Sequence, residues 1–273
     1  MAKLIEFFSY SFVRNAFAVG VLVALCAALL GVILVLKRYS MIGDGLSHVA
    51  FGAMAVSAVV GAGTSMAVTL PVTMIAAVFI LRSRRMKGDA AIAMLSVSAL
   101  AVGYLLLHLF PRGNVSGDVC TTLFGSSSIL TLSGADVAVC AVICLVVLVL
   151  FTVFYNRLFS VTFDPAFAKA TGVKTELYEL GIALTCAVVI VVAMRYVGAL
   201  LISALVVFPT LCATALFRSF KAVVIFAGSI SVLCAALGMT MSILFGTPVG
   251  ATIVCTDIIA YIVCIIIGRI KNV

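Results

Sequence analysis

Tryptophan is absent from this sequence, and only 10% of its 273 residues are charged. A soluble domain is nearer one quarter charged, so a water-facing globular surface is excluded. With no indole available, anchoring at a membrane boundary falls to Tyr, Phe, Lys and Arg. Histidine occurs twice, at His48 and His108, so very few positions could offer an imidazole to a metal. No Gly-x-x-x-x-Gly-Lys-[Ser/Thr] run is present; Gly43-Asp44-Gly45 lacks both the lysine and a preceding strand. If ATP drives this protein, another polypeptide binds the nucleotide, and the chain itself is not expected to be an enzyme. Nor does any Cys-x-x-Cys pair occur among the nine cysteines. Most stand singly inside apolar runs, where thiols behave as small apolar side chains, and no disulfides are expected. Nothing in the sequence reads as a nucleic-acid module.

What is present is apolar length. Hydrophobic residues make up 65% of the chain, and its mean hydropathy is +1.39. A bilayer is the solvent such a chain requires. The fold class expected is all-α: a polytopic integral membrane protein with about nine transmembrane helices, forming one domain over 1–273. The runs fall near 15–36, 42–62, 64–81, 89–110, 133–156, 176–194, 197–217, 222–244 and 249–268, each close to the roughly 20 residues a span needs. The second and third are divided only by Gly61-Ala62-Gly63-Thr64, so eight spans result if one is short or broken. Pro209 is expected to kink its segment. The first apolar run is long enough to span, so no cleavable leader is expected.

Alternating these spans across a bilayer separates the charge. With the loop Arg82–Lys87 inside, Lys37, Arg38, Arg157, Lys169, Lys174, Arg218, Lys221, Arg269 and Lys271 are also inside. Lys3, Arg14, Arg112 and Arg195 remain outside. This bias follows the positive-inside rule and accounts for most of the net charge of +8. It puts the C-terminus in the cytoplasm and, for nine spans, the N-terminus outside.

Two polar stretches interrupt the spans. Pro111–Ser133 is an outer loop rich in Gly, Ser and Thr. Ser160–Thr175 reads as a short helix at the cytoplasmic surface: Asp164 as N-cap, Pro165 at the first helical position, Gly172 as the stop. That helix of about two turns shows Phe163, Phe167 and Ala170 on one side, an apolar patch suited to docking a partner.

Ionisable groups inside a membrane helix mark functional sites by default. Asp44 and His48 are four residues apart and share a helical face. A carboxylate and an imidazole are both ligands for divalent transition metals. If Lys37 and Arg38 mark the interface, His48 lies about 16 Å inward at 1.5 Å per residue, near the bilayer middle. Gly43, Gly45, Ser47, Ala50 and Gly52 allow close helix approach there. Two ligands leave a site incomplete, which suits an ion that must leave again. Met41 and Met54 flank this face and could narrow a pathway. Asp257 is a second intramembrane acid, either on that pathway or bonded to nearby hydroxyls. Asp89 reads as a helix cap and His108 as an interfacial residue. Asp118 and Asp136 belong to the outer side, where they could meet a delivering partner.

On these residues the chain resembles the permease subunit of bacterial ATP-binding-cassette importers for zinc, manganese or iron, the ABC-3 family. The likeness rests on the stretch from Gly31 through Lys37-Arg38 to Gly43-Asp44-Gly45-Leu46-Ser47-His48. It extends over Leu123-Phe124-Gly125-Ser126, Phe163-Asp164-Pro165-Ala166-Phe167-Ala168-Lys169-Ala170, Val197–Pro209 and Gly250–Val254. The resemblance implies a multi-pass protein of the bacterial cytoplasmic membrane, working as a homodimer with two ATP-binding subunits and an extracytoplasmic metal-binding protein. It implies that Asp44 and His48 form the intramembrane metal site. It also implies that residues 163–173, through Asp164, Pro165, Phe167, Lys169 and Gly172, form a cytoplasmic coupling helix against the ATPase. No cofactor is expected to stay bound; the transported ion would be Zn²⁺, with Mn²⁺ or Fe²⁺ as alternatives. Manganese members often carry a proline shortly after the histidine, and Phe51-Gly52 stands there instead, which favours zinc. The rivals are an ATP-independent secondary metal carrier, a metal-chelate importer and a membrane scaffold without transport.

Overall fold

The structure, a computed structural model, describes residues 10–61, 65–82, 88–110 and 132–270. The loop residues 83–87, and residues 111–131 with Arg112, Asp118, Cys120 and the Leu123–Ser126 stretch, lie outside the described residues, as do both extreme ends.

Eleven helices form within the described residues, and no strand. They are α1 (Ser11–Leu36), α2 (Ile42–Val60), α3 (Ser65–Arg82), α4 (Gly88–Leu109), α5 (Gly134–Val153), α6 (Tyr155–Phe163), α7 (Pro165–Ala170), α8 (Thr175–Val197), α9 (Ala199–Leu216), α10 (Phe220–Phe245) and α11 (Val249–Ile270). Each expected span has its helix. Eight are long and apolar enough to cross a bilayer. The marginal one is α3, which carries Pro71 in its interior and a shorter apolar stretch, Met66–Ile80.

Backbone hydrogen bonding within each helix, missing a donor at Pro71 of α3 and Pro209 of α9, is what allows these segments to sit in hydrocarbon. Side-chain burial then sorts them. The interior helix is α1: 72% of its most apolar window is buried, against 22% for α4, α5 and α11. It packs against α5, α8, α9 and α10. The second group is formed by α2 with α3 and α4, joined to the first through α8 and α9.

Small residues set the crossings, as expected where lipid is as apolar as the helix surface. At Gly31 the α1 backbone meets the backbone carbonyl of Val206 on α9, leaving no room for a Cβ. Gly31→Ala is therefore expected to lower the thermal midpoint of the purified protein, at a cost of about 1–3 kcal/mol. Gly134→Ala, whose added methyl meets nothing within 4 Å, should leave the midpoint unchanged. Equal midpoints for both variants would show that the α1–α9 crossing is looser than its geometry.

One helix was not legible as such. The apolar run of α5 breaks at Phe154, and α6 continues in a new direction with Leu158 and Val161 buried and Phe159 and Phe163 exposed. That one-sided burial marks a helix lying on a surface rather than crossing it.

Candidate functional site

The site begins at the turn between α1 and α2. Lys37 closes α1, and Arg38 adopts the left-handed region at φ 62°. The Tyr39 N–H donates back to the Leu34 carbonyl at 2.8 Å. Lys37 Nζ reaches across to Glu179 Oε1 on α8 at 3.1 Å, fixing the turn against another helix. α2 then starts at Ile42. Asp44 is thus in the first turn of α2, where the N-terminal dipole favours a carboxylate. The Ser47 hydroxyl donates to the Asp44 carbonyl at 2.7 Å and closes that turn.

The turn changes the depth of the pair. A straight path from Arg38 would put His48 about 16 Å inward, but residues 37–41 are spent on the reversal. His48 lies six residues into α2, about 9 Å from its start at 1.5 Å per residue. The pair sits in the half of the bundle next to the α1–α2 turn.

His48 Nε2 faces Asp44 Oδ2 at 3.5 Å. That is long for a hydrogen bond, which runs about 2.7–3.2 Å. A metal held about 2.1 Å from each donor at a tetrahedral angle would set them about 3.4 Å apart. The observed spacing accommodates an ion between the two groups. His48 Nδ1 is buried without a hydrogen-bond partner. Exposure falls inward along this face: 45% for the Asp44 side chain, 22% for His48, then 3% for Phe51 and 2% for Ala55. The pair is open at its outer end and closed beyond it. Ser203 on α9 also faces the Asp44 carboxylate, and Gly43 lies 3.7 Å (to its Cβ position) from the Ser203 Cα. Sequence reasoning missed Ser203, because a lone serine in an apolar helix gives no signal of its own. Among the described residues no three His, Cys, Asp or Glu side chains gather around one point.

The remaining candidates are spread out. Met41 is the N-cap of α2, on the Asp44 side and 55% exposed. Met54 is ten residues past Asp44, about 80° around the helix at 3.6 residues per turn, and packs against the core. Asp257 on α11 is buried beside Cys234 on α10, with Oδ2 unpartnered. It also lies near Cys212 on α9. Cys212 is nine residues along α9 from Ser203, about 14 Å at 1.5 Å per residue, so the structure does not bring Asp257 to the Asp44–His48 pair. Asp136 is engaged in structure: it forms a capping box with Ser133 and accepts from the Tyr196 hydroxyl at 2.9 Å. His108 is exposed near the end of α4.

The short surface helix is α7. The Asp164 carboxylate accepts from the Phe167 N–H at 2.8 Å, Pro165 opens the helix, and Gly172 follows it at φ 83°. It spans six residues, shorter than the two turns expected. Ala168 is its buried residue, while Phe167 is 61% exposed and Lys169 also faces outward. Phe163 at the end of α6 is exposed beside it and packs edge-on against Phe220 of α10. Asp164, Pro165, Phe167, Lys169 and Gly172 are therefore gathered on one protruding corner.

The many-helix membrane bundle thus carries an acid–imidazole pair at a helix start and an aromatic corner at one end. The chain belongs to the ABC 3 transport family, which matches residues 9–268. A membrane protein of Cyanophora paradoxa, encoded in the ycf23-apcF intergenic region, is 30% identical over 267 residues, covering 96% of this chain and 88% of that one. The manganese transport system membrane protein MntC of Halalkalibacterium halodurans is 29% identical over 260 residues, covering 93% and 88%. Among solved structures, PsaBC from Streptococcus pneumoniae in complex with Fab superposes with a TM-score of 0.82 at 26% identity, over 96% of this chain and 95% of that one.

Proposed function

We propose that this chain is the membrane permease of an ATP-binding-cassette importer that passes a divalent transition metal into a bacterial cytoplasm. The observation that carries this reading is the 3.5 Å spacing of His48 Nε2 and Asp44 Oδ2, in a chain whose family is one of transporters. Asp44 and His48 hold the ion in passing. Two donors cannot fill a coordination sphere of four or more, so the balance comes from water or from the same pair in a second copy. A homodimer also gives the half-exposed Asp44 something other than lipid to face.

The cation comes from an extracytoplasmic binding protein, and the energy comes from two ATP-binding subunits seated on the α6–α7 corner. One carboxylate and one imidazole suit manganese and zinc alike. Relatives named for manganese transport weigh towards Mn²⁺, and the zinc preference drawn from Phe51-Gly52 finds no support among them. Elemental analysis of cells carrying the chain with its partner subunits tests this. Manganese should accumulate well above cells lacking the chain. A rise in zinc instead reassigns the ion, and no rise in any transition metal overturns the reading. Uptake that survives deletion of the ATP-binding subunit would make the protein a secondary carrier.

A further inference from the structure

A groove flanking the central helix lies away from the Asp44–His48 pair. It is a slot of about 830 Å³ between α1, α5, α6 and α8. Its walls are apolar, including Ile33, Val147, Phe151 and Ile182. Its mouth is different: Arg157 and Lys174 stand there, and no carboxylate is in the lining. The Arg157 guanidinium donates to the Tyr178 hydroxyl and lies 5.9 Å from the centre of that ring. This holds it in place, and the five donors of a guanidinium leave others for an anion.

Along α8 the slot runs from Lys174 to Thr185, about 16 Å at 1.5 Å per residue. That is about half of a 30 Å hydrocarbon core, or one leaflet. One flank is α5, whose outer face exposes Val142, Leu145, Val146, Val149 and Val153, as a lipid-facing helix should. The slot therefore opens sideways to acyl chains, with a double positive charge at headgroup level. Gly181 faces open space in it: a Cβ there would meet nothing within 4 Å.

We propose that this slot is a binding site for an anionic phospholipid, with one acyl chain between α1, α5 and α8 and its phosphate held by Arg157 and Lys174. Basic pockets between transmembrane helices select anionic headgroups in this way. The assignment needs only that the chain spans a bilayer, and it stands whichever metal is carried.

The full chain, reconstituted into nanodiscs of equal phosphatidylglycerol and phosphatidylcholine and then released for native mass spectrometry, tests it. Wild-type protein should retain phosphatidylglycerol in preference to phosphatidylcholine. In the double variant Arg157→Gln, Lys174→Gln that preference should fall about tenfold or more, on the scale of two juxtamembrane basic residues, while some lipid remains bound. Gly181→Phe fills the slot from a helix position that tolerates a larger residue better than glycine, and should lose the retained lipid of both kinds. Unchanged preference in the double variant, or unchanged retention in Gly181→Phe, overturns the proposal. So does a change in oligomer size or ATP-binding-subunit co-purification, without loss of lipid, in Gly181→Phe: the slot would then be a protein interface.

Discussion

Asp44→Ala and His48→Ala are each expected to abolish metal accumulation while the protein still assembles in the membrane. Both side chains are partly exposed, so truncation opens no sealed cavity and leaves no buried charge unpaired. The α2 start keeps its Ser47 bond to the Asp44 backbone carbonyl, which does not depend on the carboxylate. Losing even an outer partner of a metal ligand costs about 10–100-fold in affinity; losing one of two donors should cost at least as much. Uptake assays on membranes with matched protein levels check this. Asp44→Asn, which keeps the volume and removes the charge, should fail in the same way. Wild-type uptake in any of the three removes the pair from the pathway.

Phe167→Asp is expected to abolish coupling by a different route. Phe167 protrudes from α7 at 61% exposure, and the cap that fixes the helix uses its backbone N–H rather than its ring. The substitution should therefore leave α7 folded. An aromatic anchor at an interface centre is worth at least about 2 kcal/mol, near thirtyfold in Kd at 1.4 kcal/mol per decade. Replacing it with a carboxylate adds a desolvation penalty to that loss. Co-purification of the ATP-binding subunit with the tagged permease reads the effect. Full recovery of the complex would exclude the α6–α7 corner as the docking surface.

Much of the fold was readable in advance, because apolar runs near bilayer length, punctuated by basic clusters, leave little choice. The Asp164-Pro165 start and Gly172 stop of α7 were legible for a similar reason: each residue answers a local backbone need. The misses share a cause. The reversal at residues 37–41 contains no glycine or proline, and a non-glycine residue, Arg38, takes the positive φ. Nothing in the local pattern announces it, so the path from Lys37 to His48 was drawn as one straight helix. At Phe154 the direction changes just before the apolar run gives way to Asn156-Arg157, so the span was drawn on to 156 and α6 went unseen. Ser203 was hidden because its hydroxyl also returns to its own helix, donating to the Ala199 carbonyl at 3.3 Å, the commonplace behaviour of serine in an apolar helix. The Lys37–Glu179 pair joins positions 142 residues apart, beyond the reach of any local pattern.

That ion pair has a mechanical corollary. Its lysine is largely buried, so pulling the pair apart would leave that charge poorly solvated. Glu179 sits just over one turn past the start of α8 and nine residues after the end of α7. Lys37 sits seven residues before Asp44. The start of α8, just beyond the α6–α7 corner, is thus tied by this ion pair to the turn that leads into the acid–imidazole pair.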